Sequence, residues 1–171
     1  MIPVLILALN FTTACKPPDT EPEAPPVEDS VSIILPEPRY DSDISLEEAL
    51  LERRSVRNYT DAALTLQEVS QLLWAAQGIT DPSGKRTAPS AGALYPLVVY
   101  VIVGDIENVA RGVYRYKPNQ HELVRVLEGD QRESLAKAAL DQQSVAQGAL
   151  DIVITAIYER TTGKYGDRGI R

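Results

Sequence analysis

The sequence holds a single cysteine, Cys15, in 171 residues. No disulfide can close within the chain, and its thiol content says nothing about a redox compartment. Basic excess is also missing, with 17 Lys and Arg against 24 Asp and Glu for a net charge of −7. Residues 1–52 carry 2 basic and 11 acidic side chains, which leaves 15 basic and 13 acidic for the remaining 119 residues. The acidity thus belongs to the N-terminal stretch, and the rest of the chain stands near +2. A nucleic-acid groove needs a stripe of uncompensated Lys and Arg, so that class of partner is excluded. Past the first 15 residues no apolar run is long enough to span a bilayer, and no internal repeat is visible. The one histidine, His121, falls at a turn between two strand signals, where a solvent-facing role is expected rather than metal or catalytic duty. No metal-ligand set is identified. What remains fits one ordinary domain, with 44% hydrophobic residues for its core.

The N-terminus reads as targeting. "MIPVLILALNFTTAC" is an apolar, small-residue run of signal-peptide length, too short for a spanning helix. Its lone Cys15, followed by Lys16-Pro17-Pro18, resembles a bacterial lipoprotein signal, with departures at Thr12 and in the absence of a preceding Lys or Arg. Two outcomes stay open, lipidation at Cys15 or a plain cleaved secretory peptide. Both imply export. From Lys16 to Arg39 seven prolines are mixed with Glu, Asp and Ser, a composition that cannot bury enough apolar surface to offset its ordering entropy. Residues 16–39 therefore read as a disordered tether, with the domain at 40–171.

Three helix starts share one signature: Ser45 with Glu48, Thr65 with Glu68, and Asp130 with Glu133. Each sets an N-cap oxygen three residues before a Glu that can reach back to the cap amide. The first helix, 46–53, is expected to bury Leu46, Ala49 and Leu50. The second, 66–77, has Leu66, Val69, Leu72, Leu73 and Ala76 at helical spacing and stops at Gly78. Trp74 is expected in the core or at a dimer surface. "LVVYVIV" (97–103) and "DIVITAIY" (151–158) are apolar on both faces, as central strands are. "GVYRY" and "ELVRVL" read as a half-exposed hairpin. The mixture gives an α+β sheet domain.

"LERRSVRNYT" (51–60) gathers Arg53, Arg54 and Arg57 around Ser55 at a helix exit. Planar guanidinium forks and a hydroxyl are what a phosphate monoester needs, but basic residues also favour helix C-termini for dipole reasons. A second block, "APSAGALYPLVVYVIV" from Ala88, begins with residues small enough for backbone amides to approach a flat ring closely. A third, "ERTTGKYGDRGIR", closes the chain.

In this order the three blocks resemble the nitroreductase family of FMN-dependent oxidoreductases and, within it, the SagB-type dehydrogenases, over about 45–171. The resemblance implies an α+β subunit with a central mixed or antiparallel sheet flanked by helices, working as a homodimer whose two FMN sites each touch both chains. It implies that Arg53, Arg54, Ser55 and Arg57 hold the phosphate and ribityl end, and that Pro89, Ser90, Ala91 and Gly92 of the other subunit approach the flavin. In the SagB-type branch a Lys-Tyr pair at this place is associated with proton removal, which makes Lys164 and Tyr165 candidates for catalytic base and partner. A base role requires desolvation or a cationic neighbour, and Arg168 is the neighbour at hand. The competing reading is a solvated surface loop punctuated by Gly163, Gly166 and Gly169. Family members normally continue past the point where Arg171 stands, so the domain is expected to lack its C-terminal part.

Two functional classes follow. One is an FMN enzyme passing hydride or electrons between a nicotinamide donor, NAD(P)H, or a small organic substrate and an acceptor. The other is a flavin-binding or remnant domain without turnover.

Overall fold

The computed structural model describes residues 31–170. The signal segment 1–15 with Cys15, most of the proline-rich tether, and Arg171 lie outside the described residues. The elements are β1 (Ser32–Ile34), α1 (Leu46–Glu52), α2 (Leu66–Gln77), β2 (Leu97–Val103), β3 (Gly112–Lys117), β4 (Glu122–Glu128), α3 (Arg132–Ala138), α4 (Gln143–Ala146), β5 (Leu150–Ala156) and α5 (Glu159–Tyr165). Short 3-10 turns occupy Ala91–Ala93 and Gly166–Ile170. The five strands form one antiparallel sheet in the order β1-β4-β3-β2-β5, so the α+β class holds.

Strand β2 lies between β3 and the edge strand β5. It pairs with β5 along its whole length, from Leu97 with Ala156 to Val103 with Leu150, and with β3 from Tyr100 to Val103. Val99, Val101 and Val103 share one face by the two-residue period of a strand. They form the core with Val69 and Leu73 of α2, Tyr114 and Tyr116 of β3, and Leu123 of β4. Helix α2 forms as its start signal requires. Thr65 Oγ1 accepts from the Glu68 amide while the Glu68 carboxylate accepts from the Thr65 amide at 2.8 Å, a complete capping box.

Several expectations give way here. Segment 31–39, read as tether, is partly ordered: β1 pairs with β4, and Leu35 is buried in the core. Of the hairpin expected to be half exposed, β4 is so, with Leu127 exposed, but β3 is interior, with Tyr114, Arg115 and Tyr116 all buried, because it lies between β4 and β2. Strand β5, read as central, borders the sheet and leaves Ile154 57% exposed. Helix α1 forms behind Ser45, whose Oγ accepts from the Glu48 amide, but it buries nothing: Leu46 and Leu50 remain 71% and 64% exposed. At α3 the cap is Gln131, since Asp130 is drawn to Arg132, accepting from its amide and from its guanidinium at 2.6 Å. Gly78 ends α2 with φ −64, not a left-handed turn; glycine is needed because a Cβ there would stand 2.6 Å from Cγ of Trp74. Trp74 is half-buried, with Tyr40 edge-on at 5.5 Å.

His121 also departs from its solvent-facing expectation. The Ser70 hydroxyl donates to the Pro36 carbonyl, which leaves its oxygen to accept from His121 Nε2 at 2.7 Å. Nδ1 then accepts from Tyr116 Oη at 2.9 Å, so the network fixes the Nε2-protonated tautomer. Burial pushes the Tyr116 phenol up to about 12, which keeps it a donor. The histidine thus ties the segment after β1, α2 and the β3–β4 turn together through one satisfied cluster.

Asp151, on β5, supplies a pH-dependent contribution. Burial raises its carboxyl to about 6, Arg132 opposes that rise, and Asp130 adds to it. The folded value lies above the ordinary aspartate value, so the native state favours protonated Asp151. Its contribution is full below the ordinary value and is lost as pH rises through about 6. We expect Asp151→Asn to flatten this part of the stability profile between about pH 4 and 6 and to stabilise the fold at pH 7 by on the order of 1 kcal/mol, discounted for partial exposure. Urea unfolding of both proteins across that range measures it; parallel profiles would assign the pH dependence elsewhere.

Candidate active site

The second and third sequence blocks meet in space. β2 and β5 are paired from end to end, so the loop leading into β2 and the helix following β5 emerge at the same edge of the sheet. A Cβ built on Gly92 would lie 2.6 Å from Tyr165 Oη and 2.8 Å from Lys164 Nζ. Glycine suits position 92 because its φ is +64 and because the ends of both candidate side chains lie in the space a Cβ would take. Lys164 Nζ stands 5.6 Å from the centroid of the Tyr165 ring.

The loop that carries Gly92 is held in an unusual shape. Ala93 and Tyr95 also have positive φ, +55 and +42, a region that costs L-residues about 1 to 2 kcal/mol each. Three contacts offset that cost. Ser90 Oγ accepts from the Tyr95 amide at 2.9 Å, and the Ser90 carbonyl accepts from the Ala93 amide at 3.0 Å. Arg160 Nη1 of α5 donates to the Tyr95 carbonyl at 2.8 Å. Arg86 packs its guanidinium 4.5 Å over the Tyr95 ring and reaches Gln77 Oε1 of α2 at 3.2 Å. Burial, with Arg160 nearby, depresses the Arg86 guanidinium below its ordinary value. Pro89 and Ala91 are exposed on the same loop, and Ser90 is half-buried through its bond to Tyr95.

The arginine block is arranged differently. Residues 53–60 follow α1 without regular structure and are exposed throughout. Arg54 is engaged locally, with Nη1 donating to the Leu51 carbonyl at 2.7 Å and to its neighbour Arg53 at 2.8 Å. It serves the helix end, as the dipole reading allowed. Among the described residues the Arg53 and Arg57 side chains have no hydrogen bond or ion pair, and Ser55 is exposed between them. Within one chain these residues are not brought against Gly92, Lys164 or Tyr165 by any contact of the described residues. Lys164 and Arg168 are both exposed, and Arg168 lies in the turn after α5.

Arg86, Tyr95 and Arg160 were not singled out in the sequence. Arg160 carried a usable signal, since it stands four residues before Lys164 and so one helical turn away on the same face. Arg86 had none, because its role depends on a loop conformation.

The fold is an α+β domain in which the exposed loop carrying Gly92 meets the end of α5. The nitroreductase family model matches residues 50–171, and the chain belongs to the nitroreductase family. A protein of Methanocaldococcus jannaschii that carries the nitroreductase name is 48% identical over 143 residues, covering 84% of this chain and 71% of that protein. The trifolitoxin operon protein of Rhizobium leguminosarum bv. trifolii is 28% identical over 133 residues, covering 69% of this chain and 37% of that protein. A crystal structure of a Ralstonia eutropha protein named as a nitroreductase superposes with a TM-score of 0.67 and 32% identity, over 81% of this chain and 62% of that one. The chain thus spans less than two thirds of the length of two of these three relatives.

The Gly92 contact is directly testable. Gly92→Ala should lower stability by about 1 kcal/mol through its left-handed backbone and displace the Tyr165 ring. Urea unfolding and the Tyr165 ring resonances measure the two effects, and a Tyr165 signal unmoved by the substitution would show that the contact does not form.

Proposed function

We propose that this chain is the flavin-binding part of an FMN-dependent oxidoreductase. The observation that carries this reading is the meeting of Gly92 with Lys164 and Tyr165 in a loop of small residues whose Tyr95 is contacted by Arg86 and Arg160. Membership of the nitroreductase family supports it, since FMN is the usual cofactor there. The residues present fit the group. Pro89, Ala91 and Gly92 leave an exposed stretch of loop backbone without bulky side chains, and Arg53 and Arg57 offer two uncommitted forks for a phosphate. When bound, the flavin supplies the hydride and electron transfer, with NAD(P)H or a small organic substrate as donor.

The chain's own residues do the rest. Arg53 and Arg57, with Ser55, bind and orient the phosphate end, while Arg54 holds the helix exit from which they project. Pro89 lines the approach to the ring, and the backbone amides of Ser90, Ala91 and Gly92 approach it and favour negative charge on it. Lys164 and Tyr165 hold or move a proton at the substrate, as in the SagB-type branch, with Arg168 adding positive field. Lys164 is exposed in the single chain, so a base role requires the site to be covered. A second copy is the cover we propose. The exposed Leu46, Leu50 and Leu51 of α1, Val56 just beyond it, and Ile154 of β5 are apolar surface of the kind a homodimer buries, and each flavin would then touch both chains. A flavin-binding domain without turnover remains the second reading.

The phosphate assignment separates two ligands that differ only there. Replacing Arg53 or Arg57 with Ala should weaken FMN binding by about 1.5 to 3 kcal/mol, the range for charged hydrogen bonds. Riboflavin, which lacks the phosphate, should bind wild type and variants alike. Equal losses for both flavins, measured by fluorescence titration, would make these arginines structural.

For localisation we propose export with lipid attachment at Cys15. Acylated wild type should partition into detergent and Cys15→Ala should not. Equal partitioning of the two would leave a plain secretory segment.

A further inference from the structure

We infer that Arg160 is a positioning residue, a latch that docks α5 onto the loop 90–95 and so sets Lys164 and Tyr165 against Gly92. This inference rests on the proposed role of Lys164 and Tyr165, but its geometry does not. Helix α5 touches the loop at two points one helical turn apart. At the first, Arg160 Nη1 donates to the Tyr95 carbonyl at 2.8 Å. At the second, Lys164 and Tyr165 close on Gly92. Between them the loop runs through Gly92, Ala93 and Tyr95 in left-handed conformations, which the two non-glycine residues do not hold without outside restraint.

The backbone alone brings α5 only partway. The Ile157 amide donates to the Pro96 carbonyl at 2.9 Å, which fixes the end of β5 to the start of β2. From there two elements leave the sheet independently, and nothing in strand pairing sets the angle of the helix to the loop. Arg160 is the next side chain able to do so, and its bond lands on the carbonyl of Tyr95. Arg86 completes the arrangement from the other side. Its guanidinium covers the Tyr95 ring, and Gln77 anchors it to α2. Tyr95 is therefore gripped by its carbonyl from α5 and by its ring from the segment after α2, so that one residue joins three elements. A planar guanidinium suits both contacts, since one arginine donates a directed bond and the other stacks.

The test compares Arg160→Met, which keeps the stem and removes the donors, with Arg160→Lys, which keeps a cation and a donor. Amide hydrogen exchange in the flavin-free chain is the first readout. We expect exchange at Ala93 and Tyr95 to quicken at least 10-fold in Arg160→Met relative to Val99 and Val101 of β2, with Arg160→Lys recovering part of the protection. The second readout is a double-mutant cycle on turnover of flavin-loaded protein. Arg160→Met should cost at least 10-fold in kcat when Lys164 is present and little further in a Lys164→Ala background. Exchange at Ala93 and Tyr95 unchanged, or quickened equally throughout β2, would overturn the latch, and so would independent, additive losses in the cycle. If Lys164→Ala alone leaves kcat unchanged, it is the proton-handling reading that fails, while the exchange experiment still decides the latch.

Discussion

Everything that positions the site depends on the pairing of β2 with β5. β2 is apolar on both faces because both are buried: Val99, Val101 and Val103 pack with Val69 and Leu73 of α2, and Val98 and Ile102 are buried on the opposite face, while β3 and β5 pair along its edges. That burial sets the register, since a slip of one residue would turn Val99, Val101 and Val103 away from the core. With the register set, Leu97 lies opposite Ala156, and the chain entering β2 meets the chain leaving β5. Two stretches more than sixty residues apart in sequence thereby become neighbours. The cost of the left-handed backbone at Ala93 and Tyr95 is tolerable only because this frame does not move.

A second constraint is electrostatic. Arg86, Arg115 and Arg160 gather at the end of the sheet where β2 begins and β3 finishes, and all three guanidiniums are depressed below their ordinary value, chiefly by burial. Arg160 also acts on both of the others as a like charge. Mutual repulsion of this kind does not favour the fold by itself, and the directed contacts of Arg160 to Tyr95 and of Arg86 to Gln77 help to offset it.

The elements legible in the sequence were those whose signal is local or whose burial is two-sided. The capping box at Thr65 and Glu68 and the run Leu97–Val103 define α2 and β2 at their observed bounds. Errors arose where neighbours decide. The alternation of Tyr114, Arg115 and Tyr116 suggests a half-exposed strand, yet β3 has strands on both sides and all three residues are buried. His121 looked exposed because it sits in a turn, and only the fold brings Ser70 and the Pro36 carbonyl to it. Asp130 had a capping signature, but the guanidinium two residues on is a stronger partner than a backbone amide. In the site, the small residues around Gly92 could be picked out by composition, and the Lys164–Tyr165 pair only through the family resemblance. Their contact with one another could not, because it depends on strand register, and Arg86 and Arg160 acquire meaning only once Tyr95 has its positive φ.

Helix α1 presents the remaining physical problem. It has seven residues and a good N-cap, but a helix of that length is not stable on local terms, and none of its leucines is buried. Its amphipathic signal, which predicted burial of Leu46, Ala49 and Leu50, is therefore unsatisfied within one chain. The proposed dimer would resolve this by covering α1, and the same event would order the segment that presents Arg53 and Arg57. Association and phosphate binding would then be thermodynamically linked: a ligand held by those arginines stabilises the covered state, and a partner chain raises affinity for the ligand by the same factor. On this view the arginines carry exposed charge in an acidic chain because their order is supplied by a surface outside it.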